Sequence, residues 1–182
     1  MANTDYPGKI LYGSYSDALK AHVAKHIDRL AAFDRTLIPV IPYLCAWQDP
    51  DNAMWYEFAG TRFCDLMGCP AAALADIFRK CIKERRVYDH LDDAGACGGL
   101  VAAVYKVQLP DGEVVWLKDQ AVVTAFAQDR VHVSSGCLTI VTREMEAEEA
   151  LENTRHMLRE KARALNLARK IQAENAARLA GA

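Results

Sequence analysis

From Glu144 to Ala180 the chain runs 37 residues without a glycine or a proline, and Ala, Glu, Arg and Leu dominate the stretch. With no breaker and mostly strong helix formers, the segment predicts one helix about 55 Å long at roughly 1.5 Å per residue. Its charges are ordered along that length. Glu144, Glu146, Glu148, Glu149 and Glu152 come first; Arg155, Arg159, Lys161, Arg163, Arg169, Lys170 and Arg178 follow, opposed only by Glu160 and Glu174. Acid at the start and base towards the end complement the helix dipole. Leu151, Leu158 and Leu165 recur every seven residues, with Thr154 and Ala168 as further seam positions and Lys161 as an interruption. A stripe so narrow cannot bury itself, so a helix over 144–182 is expected to pair with another helix, in this chain or in a second copy.

Glycine and proline placement divides the rest. Residues 14–35 contain neither, and Leu19, Val23, Ile27 and Leu30 fall at spacings of four, four and three, which predicts an amphipathic helix capped by Ser14 or Ser16. Residues 36–143 hold Pro39, Pro42, Pro50, Pro70 and Pro110 and most of the aromatics, and form the globular part. The expected organisation is therefore an N-terminal segment over 1–35, a globular domain over 36–143 and a helix over 144–182. Within the globular part, Val40–Trp47 and Met54–Phe58 read as a hairpin around Asp49-Pro50-Asp51-Asn52. Thr61–Met67 is a short helix closed by Gly68, and Pro70 starts a second over Ala71–Lys80. Residues 81–99 give no clear period. Leu100–Leu109, Glu113–Phe126 and Val131–Val141 are three strands, the first two joined at Pro110-Asp111-Gly112. Two strands, short helices and three strands make an α+β domain: a five-stranded antiparallel sheet with short helices on one side, flanked by the N-terminal and the long C-terminal helix.

Lys+Arg number 22 and Asp+Glu 24, a net charge of −2, which argues against a general nucleic-acid binder. No apolar run reaches the roughly 18 residues of a membrane span. Met1-Ala2-Asn3-Thr4-Asp5 lacks the pattern of a secretory signal, so a soluble, cytoplasmic chain is expected. Cys45, Cys64, Cys69, Cys81, Cys97 and Cys137 form no Cys-x-x-Cys pair and read as reduced, partly buried thiols.

Three stretches resemble the PAS domain, the small sensor module of bacterial and eukaryotic signalling proteins. Phe58-Ala59-Gly60-Thr61-Arg62-Phe63-Cys64-Asp65-Leu66-Met67-Gly68 is similar to its strand-to-helix segment. Leu109-Pro110-Asp111-Gly112-Glu113-Val114-Val115-Trp116-Leu117 is similar to its late hairpin. Gly136-Cys137-Leu138-Thr139-Ile140-Val141-Thr142-Arg143, followed by Glu148-Glu149-Ala150-Leu151-Glu152, is similar to its last strand and the exit into a signalling helix. The likeness spans about Leu37 to Glu152. Ile140-Val141-Thr142 stands where the family often has Asp-Ile-Thr, Gly60 where it commonly has Asn, and 81–99 does not align.

The resemblance implies a sensor that binds a small ligand or cofactor in a pocket between sheet and helices. Its signal would pass through the flanking helices, in a homodimer, to an effector outside this chain: a kinase, a diguanylate cyclase or a partner protein. A ligand-free dimerisation or adaptor module is the alternative. Candidate pocket residues are Phe58, Phe63, Met67, Ile77, Phe78, Tyr88, His90, Tyr105, Trp116 and Leu138; Leu151, Leu158 and Leu165 are the dimer seam. Haem would need an axial ligand, for which His90 is the available residue among Asp89, Asp92 and Asp93. No motif specifies haem or flavin. His22 and His26 share a helix face as half of a metal site, with no third ligand placed, and His156 reads as a surface position. No phosphate loop, zinc motif or nucleophile elbow points to an enzyme, and the strand cores read as Val, Ala, Tyr and Leu without inward acids.

Overall fold

A computed structural model describes residues 8–36, 38–48, 53–90 and 99–180, without the side chains at 88–90 and 174–180. In chain order the elements are α1 (Asp17–Asp34), β1 (Ile41–Gln48), β2 (Ala53–Ala59), α2 (Thr61–Met67), α3 (Ala71–Cys81), β3 (Ile82–His90), β4 (Gly99–Gln108), β5 (Val114–Phe126), β6 (Val131–Ile140) and α4 (Thr142–Ala180). Residues 1–141 form one compact unit and residues 142–182 a second.

The six strands pair antiparallel in the order β2-β1-β6-β5-β4-β3. The expected α+β class stands, with an antiparallel sheet and helices flanking it. The sheet has six strands rather than five, because residues 82–90 pair with β4 as an additional edge. Their sequence, Ile-Lys-Glu-Arg-Arg-Val-Tyr-Asp-His, hides the strand: register shifts between Ile82 and Glu84 and between Val87 and Asp89 break the period of two. Its charged residues suit an edge that must not recruit a neighbour.

The sheet has two different faces. Leu19 and Val23 of α1, both fully buried, pack with Ile10, Leu44, Ala46, Trp55, Val131 and Val133 on the outer face of β2-β1-β6. On the inner face, α2 and α3 bring Phe63, Met67, Leu74 and Phe78 onto Tyr43, Cys45, Tyr56, Leu117 and Leu138. β1 feeds both clusters alternately, so its residues Ile41–Ala46 are all buried.

Polar anchors fix the connections. Ser16 caps α1, its Oγ accepting from the Leu19 amide at 3.3 Å while its own N–H and O–H donate to Asp129 at 2.8 and 2.5 Å. At the other end of α1, Asp34 accepts from the Thr61 amide at 2.9 Å, supplying the cap that Gly60 lacks at the start of α2. Gly68 closes α2 with φ +60°, a left-handed turn that favours glycine. α4 is a single helix whose Leu151, Leu158 and Leu165 are all more than half exposed.

Gly136 of β6 faces the inner side, opposite Tyr43 of β1 and Ala121 of β5. A Cβ there would stand 2.6 Å from the Ala121 Cβ and 2.7 Å from the Gln120 carbonyl oxygen, so strands would have to part. Gly136→Ala is expected to lose about 1–3 kcal/mol of stability in urea unfolding. An unchanged midpoint would show that β5 and β6 are less tightly apposed.

Candidate ligand pocket

Above the inner face of the sheet, towards the β3 edge, lies a cavity of about 660 Å³, within the usual size for small-molecule sites. β1 contributes Tyr43, Cys45 and Trp47, β2 Met54 and Tyr56, and β6 His132, Ser134 and Leu138. Asp119 and Val123 of β5, Tyr105 and Val101 of β4, Arg85 and Val87 of β3 and Phe78 and Arg79 of α3 complete most of the wall. Strand alternation explains the choice. Val115, Leu117, Asp119, Ala121 and Val123 share one face of β5, and that face is the inner one.

Asp119 is therefore a buried acid among apolar neighbours, which corrects the expectation that the strand cores hold none. The Tyr43 hydroxyl donates to its Oδ1 at 2.7 Å, and the Tyr105 phenol also stabilises the carboxylate. Burial outweighs these bonds and the nearby Arg85 charge, raising the carboxyl from its ordinary value to about 6. Burial, then the Asp119 charge, pushes the Tyr105 phenol up to about 12 and the Tyr43 phenol well above its ordinary value. Cys45 is buried beside them, and desolvation raises its thiol to about 12, which leaves it protonated and unreactive. At neutral pH the described lining residues thus include one carboxylate, neutral phenols and a neutral thiol. Such a set can accept a hydrogen bond or a proton from a bound molecule.

The walls are aromatic. Trp47 and His132 stack with ring centroids 5.3 Å apart and planes 7° from parallel. Edge-to-face contacts run from Tyr43 through Tyr56, Phe63 and Phe78 to Tyr105, at 5.2–6.0 Å. The Arg85 guanidinium lies 5.9 Å over the Tyr105 ring.

Of the candidate residues named from sequence, Phe78, Tyr105 and Leu138 line the cavity. Phe63 and Met67 are fully buried in the inner cluster behind it, and Ile77 packs on the same cluster. Phe58 packs on the outer cluster: Leu44 pairs with Phe58 and Cys45 with Tyr56, so Glu57 is an extra residue that reverses the alternation. Trp116 alternates with Leu117 and faces outward, where Arg86 and Lys106 lie 4.7 and 5.0 Å from its ring. Tyr88 and His90 belong to β3, but their side chains lie outside the described residues. Tyr43, Tyr56, Asp119, His132 and Ser134 escaped the sequence reading, although their alternation within β1, β2, β5 and β6 carries the signal.

Elsewhere, His22 and His26 pair on α1 with ring centroids 4.3 Å apart, His26 Nδ1 lying 3.0 Å from Ser135 Oγ. Desolvation lowers both imidazoles. Cys45, Cys64, Cys69, Cys81 and Cys137 form no disulfide; Cys97 lies outside the described residues.

No protein-family model matches the chain, and no curated protein matches it. Among solved structures it is similar to a sensory box histidine kinase/response regulator from Burkholderia thailandensis E264, at 20% identity and a TM-score of 0.42 over 66% of this chain and 91% of that one.

Because the folded-state value for Asp119 lies above its ordinary 3.8, the folded protein keeps a proton that the unfolded chain releases between about pH 4 and about pH 6. Stability from this group is fully present below that window and is lost as pH rises through it. Relative to the parent, Asp119→Asn is expected to gain on the order of 1–3 kcal/mol between pH 4 and pH 7. Urea titrations at the two pH values measure it; a difference that does not change with pH would show that the carboxyl ionises in the fold without cost.

Proposed function

We propose that the chain is a sensory or regulatory module in which a small ligand occupies the pocket above the inner sheet face. The observation that carries this reading is the pocket itself: a cavity of about 660 Å³ whose mostly apolar wall surrounds one buried carboxyl. A core built only for stability would fill that space or leave the acid out, since buried charge without full compensation destabilises.

Output runs through the flanking helices to an effector protein or domain. β6 supplies His132, Ser134 and Leu138 to the pocket and leads through Val141 alone into α4, so a shift of β6 on binding is passed along the chain to the helix. α4 pairs with the same helix of a second copy along Leu151, Leu158 and Leu165, whose exposure of 51–60% gives the seam something to bury. The ligand biases two packings of that pair by binding one of them more tightly.

Native mass spectrometry and an absorbance spectrum of freshly purified protein test the binding reading, with a retained mass adduct or chromophore as the expected result. Protein that purifies empty and whose tryptophan emission is unmoved by any small aromatic compound would count against it. Sedimentation at tens of micromolar is expected to show a dimer that Leu151→Ser, Leu158→Ser and Leu165→Ser together convert to a monomer. A monomeric parent chain would remove the dimer seam from the mechanism.

A further inference from the structure

The pocket's charged groups are sorted by depth, and the sorting selects a class of ligand. Among the described residues, Asp119 is the one carboxylate that lines the cavity, and it is only 7% exposed. An ionised carboxylate offers about four acceptor sites, of which the Tyr43 and Tyr105 phenols fill two. Acceptor capacity is thus left in a cavity walled by Tyr56, Phe78, Val123 and Leu138. Arg79 and Arg85 also line the cavity, but both are exposed, so their guanidinium groups stand at its mouth. Arg79 meets Asp76 at 3.4 Å with both side chains about three-quarters exposed, a pairing that water and salt weaken. Among the described residues, the acceptor lies within, aromatic walls between and cations outside.

We infer that the pocket takes a planar aromatic acid that carries a hydrogen-bond donor, a hydroxyl or a ring N–H, at the end remote from its carboxylate. The donor meets Asp119, the rings lie against the aromatic walls and the carboxylate stays at the mouth with Arg79 and Arg85. A volume of about 660 Å³ accommodates a two-ring compound. Opposite arrangements are penalised: a cationic ligand must pass two guanidinium groups, and one with acidic groups at both ends brings a negative charge against Asp119. The inference deepens the proposed sensory role and rests on the cavity being a binding site.

Four naphthalene compounds test it by isothermal titration against the full chain at low salt. These are methylnaphthalene, naphthol, naphthoic acid, and hydroxynaphthoic acid with its two groups at opposite ends of the ring system. The hydroxynaphthoic acid is expected to bind at least about tenfold tighter than naphthoic acid, from the charge-assisted bond to Asp119. It is expected to exceed naphthol by about two- to fivefold, from the exposed arginines. Asp119→Asn should shrink the first ratio to within about twofold and leave the second, while Arg79→Gln with Arg85→Gln should do the reverse. Should Asp119→Asn fail to fold, the parent's two ratios and the surface arginine variant decide the matter. Equal affinity for all four compounds would overturn the inference and leave the pocket as an apolar binding site. Binding of none, methylnaphthalene included, would overturn both the inference and the reading of the cavity.

Discussion

A single hydrogen bond spans a whole strand in this fold. Tyr43 lies on β1 and Asp119 on β5, and β6 runs between them, yet the phenol reaches the carboxylate at 2.7 Å. The bond therefore crosses the inner face of β6, and it does so beside Gly136, the residue paired with Tyr43. A side chain at that point would collide with Ala121 and stand beside the path of the phenol. One glycine thus lets β5 approach β6 and keeps the way clear for the link. The cost is a desolvated carboxylate, which burial makes harder to ionise than its hydrogen bonds make it easier.

The outer face treats its buried acid differently. Glu57 is 3% exposed, and its Oε1 accepts from the Lys9 and Ile10 amides at 2.8 and 3.0 Å and from the Trp55 indole. Those donors hold the segment before α1 against β2, and Lys9 lies 5.0 Å over the Trp55 ring. Gly8, at φ +68°, comes so near the carboxylate that a Cβ there would overlap Glu57 Oε2. Together with Ser16 on Asp129 and Asp34 on Thr61, Glu57 makes the outer layer a set of latches. The same chemistry, a carboxylate in an apolar setting, serves attachment on one face and faces a cavity on the other.

Much of the architecture was legible because its signals are local. Thr61–Met67 stands where its closing glycine and the following Pro70 place it, and the hairpin at Pro110-Asp111-Gly112 joins the expected strands. β3 was not legible, since Lys83, Glu84, Arg85 and Arg86 read as a charged loop and a strand with two register shifts shows no period. Phe58 shows a subtler limit. A bulge at Glu57 sends it to the outer face, and bulges follow from pairing with a partner strand rather than from the sequence of the bulged strand itself. The pocket was half legible. Counting by twos from Leu117 reaches Asp119, but composition draws the eye to Val, Leu and Tyr, and the bond that makes the acid tolerable comes from Tyr43, 76 residues earlier.

That contrast also separates a structural buried acid from a functional one. Local rules broken in a fold mark either a device that holds it together or a site that does something. Glu57 belongs to the first kind: three donors from this chain converge on one of its oxygens, and removing them would detach a segment. Asp119 differs by the same test, which is what the proposed role rests on. Its protein donors come from two phenols that themselves line the cavity, and both would persist in a closed core of ordinary packing. What such a core would not need is the space beside them. Among the described residues, Glu57 Oε2 is buried without a hydrogen-bond partner, whereas Asp119 holds bonds from two phenols and has an open volume beside it. On the proposed reading, a ligand in that volume would be linked to the stability of the inner face, and with it to β6, the strand that continues into α4.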